Sequence, residues 1–377
     1  MKRRYDQWIG ATPPETPWAD SLLQGLGLAS KVYRSGVRFR TWAYRRGVFR
    51  RFALGVPVVS VGNVTAGGTG KTPLVMHLAE RLQADGARVV ILSRGYIRQG
   101  KGVIVVSDGD RVLARKRRAG DEPYLMGIRL PKVPIIVGSN RLEAGMVAAR
   151  RFDPDVVLVD DGFQHLRLHR DWDIVAVDAV NPFGNDRLLP RGTLREPAAH
   201  IRRAQLVCLT HTDMAPDLDD VVAQIDHLAP LCPIVQSRHV VSSVYRHPDR
   251  SEVNVVDIAG QKLFALSGIG NPLGFERTVE SLGAEVADRR RFADHYRFTR
   301  SVLDEVVDAA HRAGADAIVT TEKDMVRFPP GFAFGIEVLV VAIELQITGG
   351  GEHIDNIVKT VEQRRQKVAD EFGVSGA

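Results

Sequence analysis

Residues 58–73 read VVSVGNVTAGGTGKTP: four glycines, three threonines and a lysine directly after an apolar β-branched run. Gly67, Gly68 and Gly70 free the backbone for conformations that other residues resist, so its N–H groups can approach an anion closely. With the helix that follows, the loop Thr65, Ala66, Gly67, Gly68, Thr69, Gly70, Lys71 and Thr72 forms an anion nest suited to ATP phosphates. Lys71 reaches the β- and γ-phosphates and the Thr72 hydroxyl ligates Mg2+. Pro73 suits a helix's first turn. The usual pattern has glycine at the position of Thr65, so the loop is the GGxGKT variant. A second apolar run, VVLVD, ends in Asp160 and Asp161, where a magnesium carboxylate is expected. The ordinary alternatives are a glycine-rich turn without nucleotide and a strand-ending aspartate pair.

These residues need strands and helices to position them. Short β-branched runs at 56–62, 88–93, 133–138, 155–160, 173–178 and 205–210 alternate with helical patterns at 72–86 and 140–152. Strands buried on both faces with crossover helices predict an α/β fold: a P-loop NTPase-like doubly wound parallel sheet. A second set follows, with strands at 262–270, 316–324 and 337–344 and helices near 272–282 and 299–313. It predicts a second, smaller α/β domain. The expected division is a basic amphipathic segment at 1–50, a P-loop kinase domain at 51–225, and a smaller domain with a terminal helix at 226–377.

The chain has 377 residues, 44% hydrophobic and 25% charged, ordinary for a globular protein. Its 51 basic against 45 acidic residues give a formal charge of +6, which favours an acidic partner. Residues 31–51 carry eight cations and no acid, interleaved with Val32, Phe39 and Trp42. That pattern suits either a helix packed on its own domain or one lying in a lipid interface. No apolar run approaches the ~18–20 residues of a spanning helix. The two cysteines, Cys208 and Cys232, match no metal spacing and read as buried thiols in a reducing compartment. No DNA-binding motif appears, and no nucleic-acid partner is expected.

The run DDGFQH at 160–165, together with the glycine loop, resembles the tetraacyldisaccharide 4'-kinase family of lipid A biosynthesis. Further blocks agree in one order over roughly residues 20–345: SRGY (93–96), GDEP (120–123), VGSNRLEAG (137–145), LLPRGTLREP (188–197), ALSGIGNP (265–272), FADHYRFT (292–299) and VTTEKDMVR (319–327). The resemblance implies transfer of the ATP γ-phosphate to the 4'-hydroxyl of a tetraacyl disaccharide 1-phosphate lipid. It implies peripheral or monotopic work at the cytoplasmic face of the inner membrane of a Gram-negative bacterium. It also makes Asp121 the base and His295 its partner, which requires the two domains to close over ATP. Asn63, Arg141, Gln164, His165 and Glu196 become contacts to nucleotide or acceptor. On residue type alone, Asp121 reads as a turn residue, His295 as a surface histidine, and Glu196 as a loop brace. The competing function is a membrane-associated P-loop ATPase switch that acts with a protein partner.

Overall fold

The structure is a computed structural model that describes residues 19–372. The expected segment at 1–50 is therefore seen only from Ala19 onward; its first 18 residues lie outside the described part. Among the described residues two compact units emerge: residues 19–238 with 345–372, and residues 239–344.

In the first unit, strands β1 (Val58–Gly62), β2 (Val89–Ser93), β3 (Ile104–Asp108), β4 (Pro134–Val137), β5 (Val156–Asp160), β6 (Trp172–Asp178) and β7 (Leu206–Thr210) lie in the order β7-β6-β1-β5-β2-β4-β3. All neighbouring pairs are parallel except β3 on β4. Side chains alternate between faces at a period of two. Val59, Val61 and Ile91 therefore join Leu74, Leu78 and Leu82 of helix α2 (Lys71–Ala84) in one buried cluster. Val58, Val90 and Leu92 point the other way, onto Ala144 and Ala148 of the helix at Arg141–Phe152. Both faces are thus covered, as the apolar runs required.

The second unit holds β10 (Lys262–Ser267), β11 (Glu285–Arg291), β12 (Ala317–Thr321) and most of β13 (Glu337–Gly349), in the order β11-β10-β12-β13 and all parallel. Strand β8 (Ile234–Arg246) enters it and pairs antiparallel with β9 (Glu252–Val253). Leu263, Ala265 and Val319 pack on Phe275 and Val279, while Phe264, Leu266 and Ile318 pack on Leu303 and Val306.

The division differs from the expected boundary in two respects. The first unit runs to Arg238 rather than 225, and residues 345–372 belong to it instead of closing the second. The C-terminal helix (Gly351–Phe372) has a physical reason to return there. Its Ile354, Ile357, Val358 and Val361 complete the cluster around Leu78 and Leu82. Asp355 meets Arg81 at 2.8 Å, and Arg365 donates to the Asp85 carbonyl.

Residues 19–45 form one helix, α1 (Ala19–Arg45). Its Ser30 hydroxyl donates to the Leu188 carbonyl, Tyr33 to the Arg195 carbonyl, and Arg40 to the Gln164 carbonyl. Leu28, Val32, Phe39 and Trp42 are exposed, at 66%, 70%, 59% and 49%. At 100° per residue these four fall within about 80° of arc, opposite the anchored residues. Lys31, Arg34, Arg38 and Arg45 line one side of the stripe. Among the described residues no helix is long and apolar enough to cross a membrane.

Candidate functional site

Register builds the centre of the first unit. β1 lies between β5 and β6, and Val61 stands opposite Asp160. The glycine loop and Asp160-Asp161 therefore leave the sheet at the same carboxyl edge, where open α/β sheets bind ligands. Gly62 allows this closeness. A Cβ there would lie 2.5 Å from Phe163 Cβ and 2.6 Å from the Phe163 nitrogen.

The loop is braced from three sides. Asn63 Nδ2 donates to Thr69 Oγ1 at 3.0 Å, and the Thr210 hydroxyl donates to the Thr69 carbonyl. Ala66 N–H donates to the Thr193 carbonyl, and Arg195 N–H to the Val64 carbonyl. Gly67 and Gly70 take φ of +130° and +70°, which glycine adopts without strain. Gly70 turns the chain directly into α2, which begins with Lys71 and Thr72.

Lys71 Nζ lies 3.8 Å from Asp161 Oδ1. Burial lowers the lysine's proton affinity, and Asp161 pulls it back up. Arg195 Nη1 grips both Asp161 oxygens, at 2.8 and 3.0 Å. Burial pushes the Asp161 carboxyl up, but Lys71 and Arg195 outweigh it and hold the group below its ordinary range. Asp160 differs. It is buried, accepts from the Ser93 hydroxyl at 2.9 Å, and is raised to about 7 by burial, Glu122 and Asp161. A carboxylate in that position is under pressure to take up a proton or a cation.

The donor set of Thr72, Asp160 and Asp161 consists of oxygens only, which suits a hard dication. Among the described residues no group of three or more His, Cys, Asp or Glu side chains could hold a metal. A magnesium ion held here would draw its remaining ligands from phosphate and water, as that ion usually does.

The other expected contacts fall into two groups. Gln164 and His165 follow the carboxylates. Gln164 Nε2 donates to the Asn63 carbonyl at 2.8 Å, tying the two motifs together. Burial, then Arg141 and three further arginines, lower His165 to about 4. Arg141 and Glu196 are both held by partners within the protein. Arg141 is only 2% exposed and donates to the Gly138 and Asp160 carbonyls. Burial brings its guanidinium down to about 10. Glu196 accepts from Arg203 at 2.8 Å and sits 2.7 Å from His200 Nδ1. It braces the loop, and Arg203 in turn stacks 4.2 Å above the Phe163 ring.

Asp121 opens the helix Asp121–Arg129 after Gly120, whose φ is +91°. A Cβ on Gly120 would meet the Gly95 Cα at 3.2 Å, so the SRGY and GDEP loops meet through their glycines. His295 belongs to the second unit and has a left-handed φ of +61°. Arg195, Ser93 and Glu122 received no role from the sequence, although each acts on Asp160 or Asp161. The LREP, SRGY and GDEP blocks were the available signal for all three.

A family model described as "Tetraacyldisaccharide-1-P 4'-kinase" matches residues 22–362. The tetraacyldisaccharide 4'-kinase of Anaeromyxobacter sp. (strain Fw109-5) is 43% identical over 338 residues, covering 88% of this chain and 90% of that protein. The tetraacyldisaccharide 4'-kinase of Halothermothrix orenii is 36% identical over 351 residues, covering 86% and 89%. Among solved structures, LpxK from Aquifex aeolicus in complex with ATP superposes with a TM-score of 0.74 at 31% identity, over 90% of this chain and 99% of that one.

Proposed function

The chain belongs to the tetraacyldisaccharide-1-P 4'-kinase family, and we propose that its glycine loop and strand-end carboxylates carry out phosphoryl transfer from ATP to the 4'-hydroxyl of a tetraacyl disaccharide 1-phosphate. The observation that carries the reading is the convergence of Lys71, Asp161 and Arg195 beside Asp160 at one sheet edge. The switch ATPase weighed from the sequence is not favoured, because the relatives are named as enzymes with a lipid acceptor.

Phosphoryl transfer needs positioning and charge neutralisation more than covalent chemistry. Backbone N–H groups of residues 65–72 cradle the phosphates, and Lys71 neutralises the terminal ones. Thr72, Asp160 and Asp161 would hold Mg2+, which would supply charge neutralisation to the phosphates. Arg195 keeps Asp161 ionised and aimed. Arg141 anchors the Asp160 backbone from below. Asp121 accepts the proton of the acceptor hydroxyl, and His295 acts on that same proton.

The acceptor is an acylated anion, so it resides in a membrane. The apolar stripe of α1 and its flanking cations suit an interfacial helix. We place the enzyme at the cytoplasmic face of the inner membrane of a Gram-negative bacterium, attached without spanning.

The site roles are tested by single and double substitutions. Asp121→Ala and His295→Ala each slow turnover by roughly 100-fold or more. If both act on one proton, the double variant is about as slow as the slower single one. Multiplied losses, or full activity of Asp121→Ala, would remove the assignment.

A further inference from the structure

The block VTTEKDMVR at 319–327 has no part in the reading so far, yet it builds a buried ion pair beneath the loop that carries His295. β12 ends at Thr321, whose hydroxyl accepts from the Asp324 N–H at 3.1 Å and donates to Asp324 Oδ2 at 2.8 Å. The Asp324 side chain is fully enclosed. Its Oδ2 also accepts from the Gly268 N–H at 3.0 Å, and its Oδ1 accepts from Arg327 Nη1 at 3.0 Å. Arg327 Nη1 donates again to the Gly268 carbonyl at 2.8 Å. Gly268 leaves no slack, since a Cβ there would lie 3.0 Å from Asp324 Oδ1.

One arm of the guanidinium is thereby fixed. The fork is planar and rigid, so the other arm is fixed with it. That arm, Nη2, lies 3.5 Å from His295 Nδ1 and 3.9 Å from Asp294 Oδ1. On its other side, His295 Nε2 faces Asp294 Oδ2 at 3.6 Å, and Lys323 approaches Asp294 at 3.9 Å. The His295 backbone N–H donates to Asp294 Oδ1 at 2.9 Å. A non-glycine residue with φ of +61° persists only where its surroundings hold it there.

A guanidinium has donors and no acceptor. A ring nitrogen that faces it must accept, which leaves the proton of a neutral imidazole on the other nitrogen. We infer that Arg327, locked in place by Asp324, is a positioning residue for His295: it orients the ring and sets its Nε2–H tautomer. The inference rests on the proton-transfer role proposed for His295 and extends that role to two residues with no assigned part. A buried pair that served stability alone would place no demand on where the second arm points, because apolar residues often replace such pairs at no cost. Lysine supplies charge without a second arm, so Arg327→Lys separates the two roles.

The test uses the full-length protein with 15N-labelled histidine, the His295 ring being assigned by its loss in His295→Asn. Long-range 15N–1H spectra report which ring nitrogen carries the proton. The wild type shows Nε2–H with Nδ1 unprotonated; Arg327→Lys and Arg327→Met show a mixture of tautomers. Arg327→Lys lowers kcat roughly 10- to 100-fold with KM unchanged. Added to His295→Ala, it causes no further loss. A wild-type ring protonated at Nδ1, which needs no variant to observe, would overturn the inference. So would an unchanged tautomer in Arg327→Lys, or a multiplied kcat loss on top of His295→Ala. If His295→Ala retains full activity, the proposed catalytic role of His295 falls, and the spectra still decide whether Arg327 sets the tautomer.

Discussion

Asp160 and Asp161 are adjacent in the chain and opposite in electrostatics. Burial with Glu122 and Asp161 nearby raises the first to about 7, while Lys71 and Arg195 hold the second down against its burial. Two carboxylates with different proton affinities at one strand end suit a site that must receive a cation and keep a fixed anion beside its lysine. His165, five residues after Asp160, shows the same environment from the other sign. Burial and the arginines around it lower the imidazole to about 4, against about 6.5 for an unfolded histidine. Between those values the unfolded chain binds a proton that the folded chain refuses. This contribution is complete above pH 6.5 and is lost as pH falls toward 4. His165→Gln removes it, so the melting temperature of the variant should fall less steeply than that of the wild type between pH 6.5 and 4. Parallel curves would show that His165 is not held neutral.

At the scale of elements, the site depends on how closely β1 and the turn after β5 approach. Gly62→Ala drives a methyl group into the Phe163 backbone, which cannot yield without moving Asp160 and Asp161. Urea denaturation should show a loss of about 1–3 kcal/mol. Gly68→Ala has nothing within 4 Å of its new methyl and should stay within about 0.5 kcal/mol. A Gly62→Ala variant as stable as the wild type would mean that the turn adapts. The buried parallel strands were legible because runs such as VVLVD are apolar on both faces. β11, EVADRRR, was not, because it ends its sheet and carries the charges that protect an exposed edge. The glycine loop and its carboxylates were equally plain. Arg195 was not, since only the antiparallel bridge of Thr65 to Leu194 brings LREP beside the loop. Long-range pairing of this kind leaves no local pattern. For the same reason the bonds from Arg141 to the Gly138 and Asp160 carbonyls were not legible.

At the scale of the whole chain, the return of residues 345–372 to the first unit was hidden because nothing in their pattern names their partner. The Ile354, Ile357, Val358 and Val361 stripe is simply amphipathic. The stripe on α1 is exposed, and the partner proposed for it is a lipid interface. Replacing both Phe39 and Trp42 with serine should cut binding to anionic vesicles roughly tenfold or more, with little change in stability because both are exposed. Undiminished cosedimentation would move the attachment to another surface. The most direct measurement joins loop, carboxylates and acceptor: purified protein with ATP, Mg2+ and the tetraacyl disaccharide 1-phosphate, the lipid product being read by mass spectrometry. A second phosphate appears on the distal sugar's 4'-oxygen with the wild type and is reduced at least about 100-fold with Lys71→Ala. ATP hydrolysis that leaves the lipid unmodified, or a Lys71→Ala variant of full activity, would contradict the proposed chemistry.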